Sequence, residues 1–417
     1  MGQFLSQPIT EKHIKTCEFD KVSHVVGEMQ GYRLTMEDAY CDLIVEPDRD
    51  SGKAGYTVFG VFDGHGGADA SKYIGARLPQ IISERLEAAI NGISPRQHPE
   101  QGAEVSTLTA TIDTNTDTDT LISTSVALEK DATISSENSK KPALVDQLEL
   151  ITIFKSAFMV CDNELYNKGI RSGSTAVVAI MIDGYLVVAN VGDSRCILSC
   201  DKGAPKMLSF DHKPKNFGEL LRIRNDGGYV TDNRVNGVLA LSRAFGDFSF
   251  KMHNANNHHR ITNTARSGLL NRKAFDSLNT TNQPSQSQQQ QPLRAASRQK
   301  LTSPEEYQVT VDPEIIYHKL NSSDEFIVLA CDGIWDCYKT HKLVQLIRNQ
   351  LALGKRLDEI IELILENCLN MANTITGIGF DNMTIIIVAL HENIGTLEDW
   401  YLYMKNKVLD EKFGRQI

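Results

Sequence analysis

Four acidic positions beside or at the ends of apolar runs give this chain its chemical character. Asp63 follows Val61 and Phe62 and opens an Asp-Gly-His-Gly-Gly stretch, Asp332 follows Leu329, Ala330 and Cys331, Asp381 follows Gly379 and Phe380, and Glu37 stands beside Asp38. Carboxylates fixed at the rim of a dry core either cap turns or bind a hard cation. One Asp-Gly after a strand is ordinarily a turn signal. Three such aspartates together with the Glu37–Asp38 pair favour the cation. Oxygen-only ligation suits Mg²⁺ or Mn²⁺ better than zinc, because hard cations prefer carboxylate, carbonyl and water to thiolate or imidazole.

The elements that must hold these acids are legible as short runs of β-branched and aromatic residues. Tyr56 to Phe62, Phe326 to Cys331 and Met383 to Leu390 read as strands, and their near-continuous apolar character predicts burial on both faces. Leu150, Ile153, Ala157, Cys161 and Leu165 recur at helical spacing, as do Leu357, Ile360, Ile361, Ile364 and Leu365, which predicts amphipathic helices covering the sheets. A further helix is expected over 68–78 after Gly66 and Gly67, with Pro79 interrupting it.

Around the acids stand groups that could bind an anion or move a proton. A guanidinium fork matches two phosphate oxygens, so Arg33 is the candidate cation for orienting one; from spacing alone, an ion pair with Glu37 or Asp38 is the commoner outcome. His65, directly after Asp63 and Gly64, is the candidate general acid for a leaving alkoxide, with an orienting histidine as its alternative. Ser174 and Ser194 lie in glycine-flanked turns with no evident base partner and read as turn formers. Cys331 and Cys337 read as small core residues, and no role is given to His258 and His259.

Composition sets the limits on organisation. The chain has 417 residues and a net charge of −10. Residues 95–145 are rich in Thr, Ser and Asp, and residues 251–304 in Asn, Gln and Ser, including Gln288 to Gln291; both read as disordered insertions into one domain. The first stretch carries −4 and residues 251–300 carry +7, leaving −13 on the body. Such a body has no general attraction for nucleic acid, and no basic stripe interleaved with aromatics is present, which sets aside a metal-dependent nuclease. The eight cysteines show no Cys-x-x-Cys spacing, and neither a secretory signal nor a membrane-length apolar run is evident. Met1 to Ser6 fits the pattern for myristoylation of Gly2.

The motifs, taken in order, resemble those of the type 2C metal-dependent protein phosphatases, which are specific for serine and threonine. They are Gly-Tyr-Arg-Leu-Thr-Met-Glu-Asp at 31–38, Asp-Gly-His-Gly-Gly at 63–67, Ser-Gly-Ser-Thr-Ala at 172–176 and Asn-Val-Gly-Asp-Ser-Arg at 190–195. Asp-His-Lys-Pro at 211–214, Leu-Ser-Arg-Ala-Phe-Gly-Asp at 241–247 and the Asp332 and Asp381 motifs follow. The resemblance implies an α+β fold, a central antiparallel β-sandwich flanked by helices in αββα layers. It also implies hydrolysis of phosphoserine and phosphothreonine in proteins with two Mg or Mn ions per site. By the same resemblance Asp63 bridges both ions, the Gly64 carbonyl binds one, Asp332 and Asp381 take the other, and Glu37 and Asp38 act through waters. Asp193 and Asp336 correspond to positions for a third ion, with a pair of turn aspartates as the alternative, and residues 211–234 to a flap that contacts substrate.

The expected organisation is then an N-terminal extension over 1–22 with the Gly2 signal, a catalytic domain over 23–393 interrupted by the two insertions, and a C-terminal helical tail over 394–417. The partners are phosphorylated proteins. The expected setting is a monomer in the cytoplasm, and also the nucleus, with a minor membrane fraction. The competing expectation is a catalytically weak pseudophosphatase that binds phosphoproteins; the intact set Arg33, Glu37, Asp63, Asp332 and Asp381 speaks against it.

Overall fold

A computed structural model describes residues 4–47, 55–91, 145–251 and 303–414. Almost all of both expected insertions lies outside the described residues, as does Gly2. The first half supplies strands β1 (Phe4–Cys17), β2 (Val22–Arg33), β3 (Ala39–Val45), β4 (Tyr56–Phe62) and the two-residue β5 (Gly64–His65), then helices α1 (Asp69–Ile90) and α2 (Gln147–Asn167). Next come β6 (Gly173–Ser174), β7 (Ala176–Ile182), β8 (Tyr185–Val191), β9 (Arg195–Cys200), β10 (Ala204–Met207), α3 (Phe217–Asn225), β11 (Val230–Thr231) and β12 (Arg234–Val235). The remainder is β13 (Glu314–Lys319), β14 (Asp324–Ala330), the short α4 (Asp332–Trp335), α5 (Thr340–Ala352), α6 (Leu357–Asn370), β15 (Met383–Leu390) and α7 (Leu397–Phe413).

Two antiparallel sheets face one another. One has the order β1-β2-β15-β14-β9-β10 and the other β13-β8-β7-β4-β3. The apolar runs arise because the central strands are buried on both faces: every residue of β4 and of β14 is buried. Along β4, Phe59 and Val61 point between the sheets with Val177, Leu329 and Ile386, while Val58 and Phe62 pack under α1 and α2 with Ile74, Leu78, Phe154 and Phe158. Outside the other sheet, α5, α6 and α7 cover Val25, Met29, Val328 and Ile385 with Leu343, Ile347, Ile361 and Trp400. The layers are helix, sheet, sheet, helix, as expected.

Several boundaries differ from expectation. Residues 4–17, expected as an extension, form edge strand β1 and pair with β2 from Phe4 opposite Arg33 to Cys17 opposite His24. Strand β1 is largely exposed and polar, so it lacks the apolar signature of an internal strand. Helix α1 passes through Pro79 to Ile90. The proline costs about 3 kcal/mol in lost hydrogen bonding and ring clash, but burial of Ile74, Leu78, Ile81, Ile82 and Leu86 on one face outweighs it at roughly 1.5–3 kcal/mol each. Expected as a tail, α7 buries Trp400, Met404 and Val408 in the core. Lys251, assigned to the second insertion, is buried, and its Nζ donates to both Asp162 carboxylate oxygens at 2.9 and 2.8 Å.

Candidate active site

The sandwich brings its acids to one pole because the strands that carry them end there. Strand β4 runs out into Asp63, β14 into Cys331 and Asp332 at the start of α4, and β15 begins just after Asp381 and Asn382. Carboxylate oxygens of Asp63, Asp193 and Asp332 lie within 4.8 Å of one another, and oxygens of Asp38 and Asp63 lie within the same distance of each other and of the Cys331 sulfur. Asp63 and Asp332 keep a solvent-facing edge but are otherwise walled in by protein. That loss of hydration, followed by repulsion from neighbouring carboxylates, holds both well above the usual carboxylate range. Asp38 is fully enclosed; burial pushes it up to about 7 although the Thr384 hydroxyl donates to its Oδ2 at 2.8 Å.

Glu37 is held at the edge of this group. Its Oε2 accepts from Gly67 N at 3.1 Å, its Oε1 from the Thr35 hydroxyl at 2.8 Å, and its carbonyl from the Ser71 hydroxyl. Gly64 passes so close to that carbonyl that a Cβ there would collide with it, which leaves glycine as the residue able to bring its own backbone to the site. Asn382 staples the segment before Asp38 to the Asp381 turn: its Nδ2 donates to Gln30 O and Thr35 O at 2.9 and 3.0 Å, while its Oδ1 accepts from Glu37 N at 2.9 Å.

Two cations stand over the acids. Arg33 Nη2 donates to Asp381 Oδ2 at 2.5 Å, so the ion pair it makes is with Asp381 rather than with Glu37 or Asp38. The Lys213 ammonium pairs with Asp193, and Asp193 and Asp336 alike come near Asp332. Asp336 itself is exposed at the end of α4 and lies outside the tight oxygen clusters.

His65 sits in β5, which pairs with β6 so that His65 faces Gly173. Phe245 exchanges backbone hydrogen bonds with Ser174 at 2.9 and 3.1 Å, which delivers Asp247 to His65 with Nε2 and Oδ2 2.7 Å apart. Burial alone would lower the His65 pKa; hydrogen bonding and charge from Asp247 outweigh it and raise the value above the ordinary 6.5. A Cβ at Gly173 would strike both partners.

A family model described as protein phosphatase 2C matches residues 22–128 and 115–376. The chain belongs to the protein phosphatase 2C family. Protein phosphatase 2C homolog 4 of Saccharomyces cerevisiae is 39% identical to it over 438 aligned residues, covering 99% of each chain. Protein phosphatase 2C homolog 2 of Schizosaccharomyces pombe is 31% identical, covering 98% of this chain and 83% of that one. Among solved structures, a phosphatase from a pathogenic strain of Toxoplasma gondii superposes with a TM-score of 0.57 at 20% identity, over 93% of this chain and 97% of that one, a likeness of fold. The chain is thus a protein phosphatase with a metal-binding acidic centre.

In this phosphatase 2C centre the serines set aside as nucleophiles are engaged structurally: the Ser174 hydroxyl donates to Thr175 O at 2.7 Å, and Ser194 shares a hydrogen bond with the Thr175 hydroxyl at 2.8 Å. Sequence reasoning missed Asp247, Lys213, Asn382 and Thr384. All four lie inside the motifs of the sequence, Lys213 in Asp-His-Lys-Pro, Asp247 in Leu-Ser-Arg-Ala-Phe-Gly-Asp, and Asn382 with Thr384 in the Gly-Phe-Asp-Asn-Met-Thr around Asp381, so the signal was present without a role attached. Residues 211–234, expected as a flap, contain α3 and the β11–β12 hairpin around a small core of Ile223, Val235, Leu241, Ala244 and Val309. This lobe is tied to the site by Lys213 and by His212, whose Nδ1 accepts from Gly192 N at 3.2 Å.

Proposed function

We propose that this phosphatase hydrolyses phosphoserine and phosphothreonine in proteins with two Mg²⁺ or Mn²⁺ ions, held by Asp63, the Gly64 carbonyl, Asp332 and Asp381, with Glu37 and Asp38 acting through waters. The observation that carries this reading is the oxygen cluster of Asp63, Asp193 and Asp332. Its members repel one another and are poorly hydrated, a cost that a hard divalent cation among them would reverse. When bound, the ions supply an acidified water for attack on phosphorus and neutralise charge on the phosphate.

The chain's own residues do the rest. Arg33 presents its N–H groups to the phosphate and orients it. His65, whose protonated form the Asp247 carboxylate favours, donates a proton to the departing serine or threonine oxygen, whose alkoxide is too basic to leave unaided. Lys213 offsets the charge of Asp193, and Asp193 with Asp336 supports a further, weaker ion beside Asp332. The +7 stretch at 251–300 is suited to drawing acidic phosphoproteins to a body of −13.

Gly2 acylation remains part of the reading, on the strength of the Met1 to Ser6 pattern. One acyl chain gives marginal affinity for a bilayer, so the protein is a cytoplasmic and nuclear monomer with a reversible membrane fraction. The deciding experiment is turnover of a phosphothreonine peptide by the full chain with Mn²⁺ and with chelator. Turnover with the metal alone supports the reading. Peptide binding without turnover would overturn it in favour of a pseudophosphatase.

A further inference from the structure

Strands β1 and β2 run antiparallel with Phe4 opposite Arg33, so the first described residue of the chain lies against the guanidinium assigned above to phosphate. The Arg33 Cζ stands 5.7 Å from the centroid of the Phe4 ring. Phe4 packs on Phe380 with centroids 5.0 Å apart, and Phe380 on Tyr32 at 4.5 Å. Phe380 immediately precedes Asp381, the carboxylate that holds Arg33 at one edge. Arg33 Nε is buried without a hydrogen-bond partner among the described residues. The guanidinium is therefore fixed by one carboxylate at its tip and one aromatic face beside it, and by no hydrogen bond at its base.

We propose that Phe4 is a positioning residue for substrate binding: its ring sets the plane of the Arg33 guanidinium, so that the N–H groups not given to Asp381 point at the phosphate. A cation beside an aromatic face is attracted by the ring quadrupole, and the Phe4–Phe380–Tyr32 row anchors that face to the segment carrying Asp381. Without the ring, Arg33 is free to swing and make both of its contacts to Asp381, which withdraws it from the phosphate. The strand that looks like an extension in sequence thereby completes the substrate site. This inference rests on the phosphate-binding reading of Arg33.

The test uses the full chain with saturating Mg²⁺ and compares Phe4→Ala, Phe4→Leu and Phe4→Tyr. Phe4 is 41% exposed, so none of these should alter folding, which melting temperatures check. For a phosphothreonine peptide, KM should rise roughly two- to fivefold in Phe4→Ala and Phe4→Leu, the range expected of a surface cation–π contact, with kcat unchanged. The Kd of inorganic phosphate measured by calorimetry should rise by the same factor. Phe4→Tyr, which keeps the ring, should match the parent. Arg33→Ala should raise KM further, and adding Phe4→Ala to it should change nothing more.

A normal KM in Phe4→Ala beside a raised KM in Arg33→Ala overturns the positioning role and leaves the phosphate role standing. So does Phe4→Leu matching the parent, or a Phe4→Ala effect that persists without Arg33. A normal KM in Arg33→Ala overturns the phosphate reading, and this inference with it.

Discussion

His65 and Asp247 meet at 2.7 Å although 182 positions separate them in the chain. The contact turns a histidine beside the acidic centre into a group whose protonated form the fold supports. In the proposed mechanism it would tie proton donation to the lobe that follows residue 211, because Asp247 arrives on the segment that joins that lobe to β6.

Leaving-group dependence is the measurement that isolates this pair. Substituting His65→Gln should slow a phosphothreonine peptide by roughly 10²–10⁴-fold, the usual worth of a positioned general acid, while an aryl phosphate, whose leaving group needs little protonation, slows far less. Asp247→Asn should show the same selectivity at smaller amplitude. Equal slowing of both substrates would remove the general acid.

Metal binding should register in stability as well as in rate. Turnover should vanish with chelator and return with millimolar-order Mg²⁺ or Mn²⁺, and Asp63→Asn or Asp332→Asn should lose several orders of magnitude in kcat. Because the free acids repel one another, Asp332→Asn should melt higher than the parent when both are metal-free. Scanning calorimetry with and without Mg²⁺ reads the crossover; a parent protein indifferent to Mg²⁺ would sink the assignment.

The lobe beside the site carries its own pH dependence. Glu219 is buried, which alone would raise its pKa, yet ion pairs with Arg243 and Arg222 and the Ser242 hydroxyl at 2.6 Å pull it down to about 2 from 4.5. A folded pKa below the unfolded one gives stability that is complete above about 4.5 and is lost as pH falls toward about 2. At neutral pH the contribution is on the order of 3 kcal/mol. Urea denaturation of Glu219→Gln should show a loss of that order at pH 7 that shrinks through the acid window. A loss independent of pH would contradict the ion-pair origin.

Where the second insertion begins also has a sharp expected boundary. Deleting 254–299, a stretch without periodic apolar residues, should leave aryl phosphate turnover within about twofold, since loop length costs stability only logarithmically. Replacing Lys251 by Met should instead cost about 3–5 kcal/mol, because it strands the buried Asp162 carboxylate. Thermal melts of the two variants give the comparison.

What the sequence discloses here follows burial. Tyr56 to Phe62 and Met383 to Leu390 announce themselves because both faces of each strand are covered, and their terminal acids follow by simple adjacency. Strand β1 is silent because an exposed edge strand needs no apolar pattern. Pro79 misleads because a local rule loses to the burial of a long helical face. The Lys213–Asp193 ion pair and the Asp247–His65 contact stay hidden since each depends on chain folding back from a distance, and residue types carry no record of that distance. Trp400 sits in a segment whose helical character is plain but whose docking against the sheet is not.

Strand β2 is paired on one side with β1 and on the other with β15, its partner from the far end of the chain. The Arg33–Asp381 contact accordingly spans 348 positions. A nascent chain can form the β1–β2 hairpin early, yet the edge of β2 stays bare and the acidic centre lacks Asp381 until nearly the whole chain has been synthesised. Folding of this sheet is therefore closed by its most non-local pairing, which predicts slow maturation and a period of dependence on chaperones. Because the segment at 211–251 precedes Asp381 in the chain, it is made before the acidic centre can be complete.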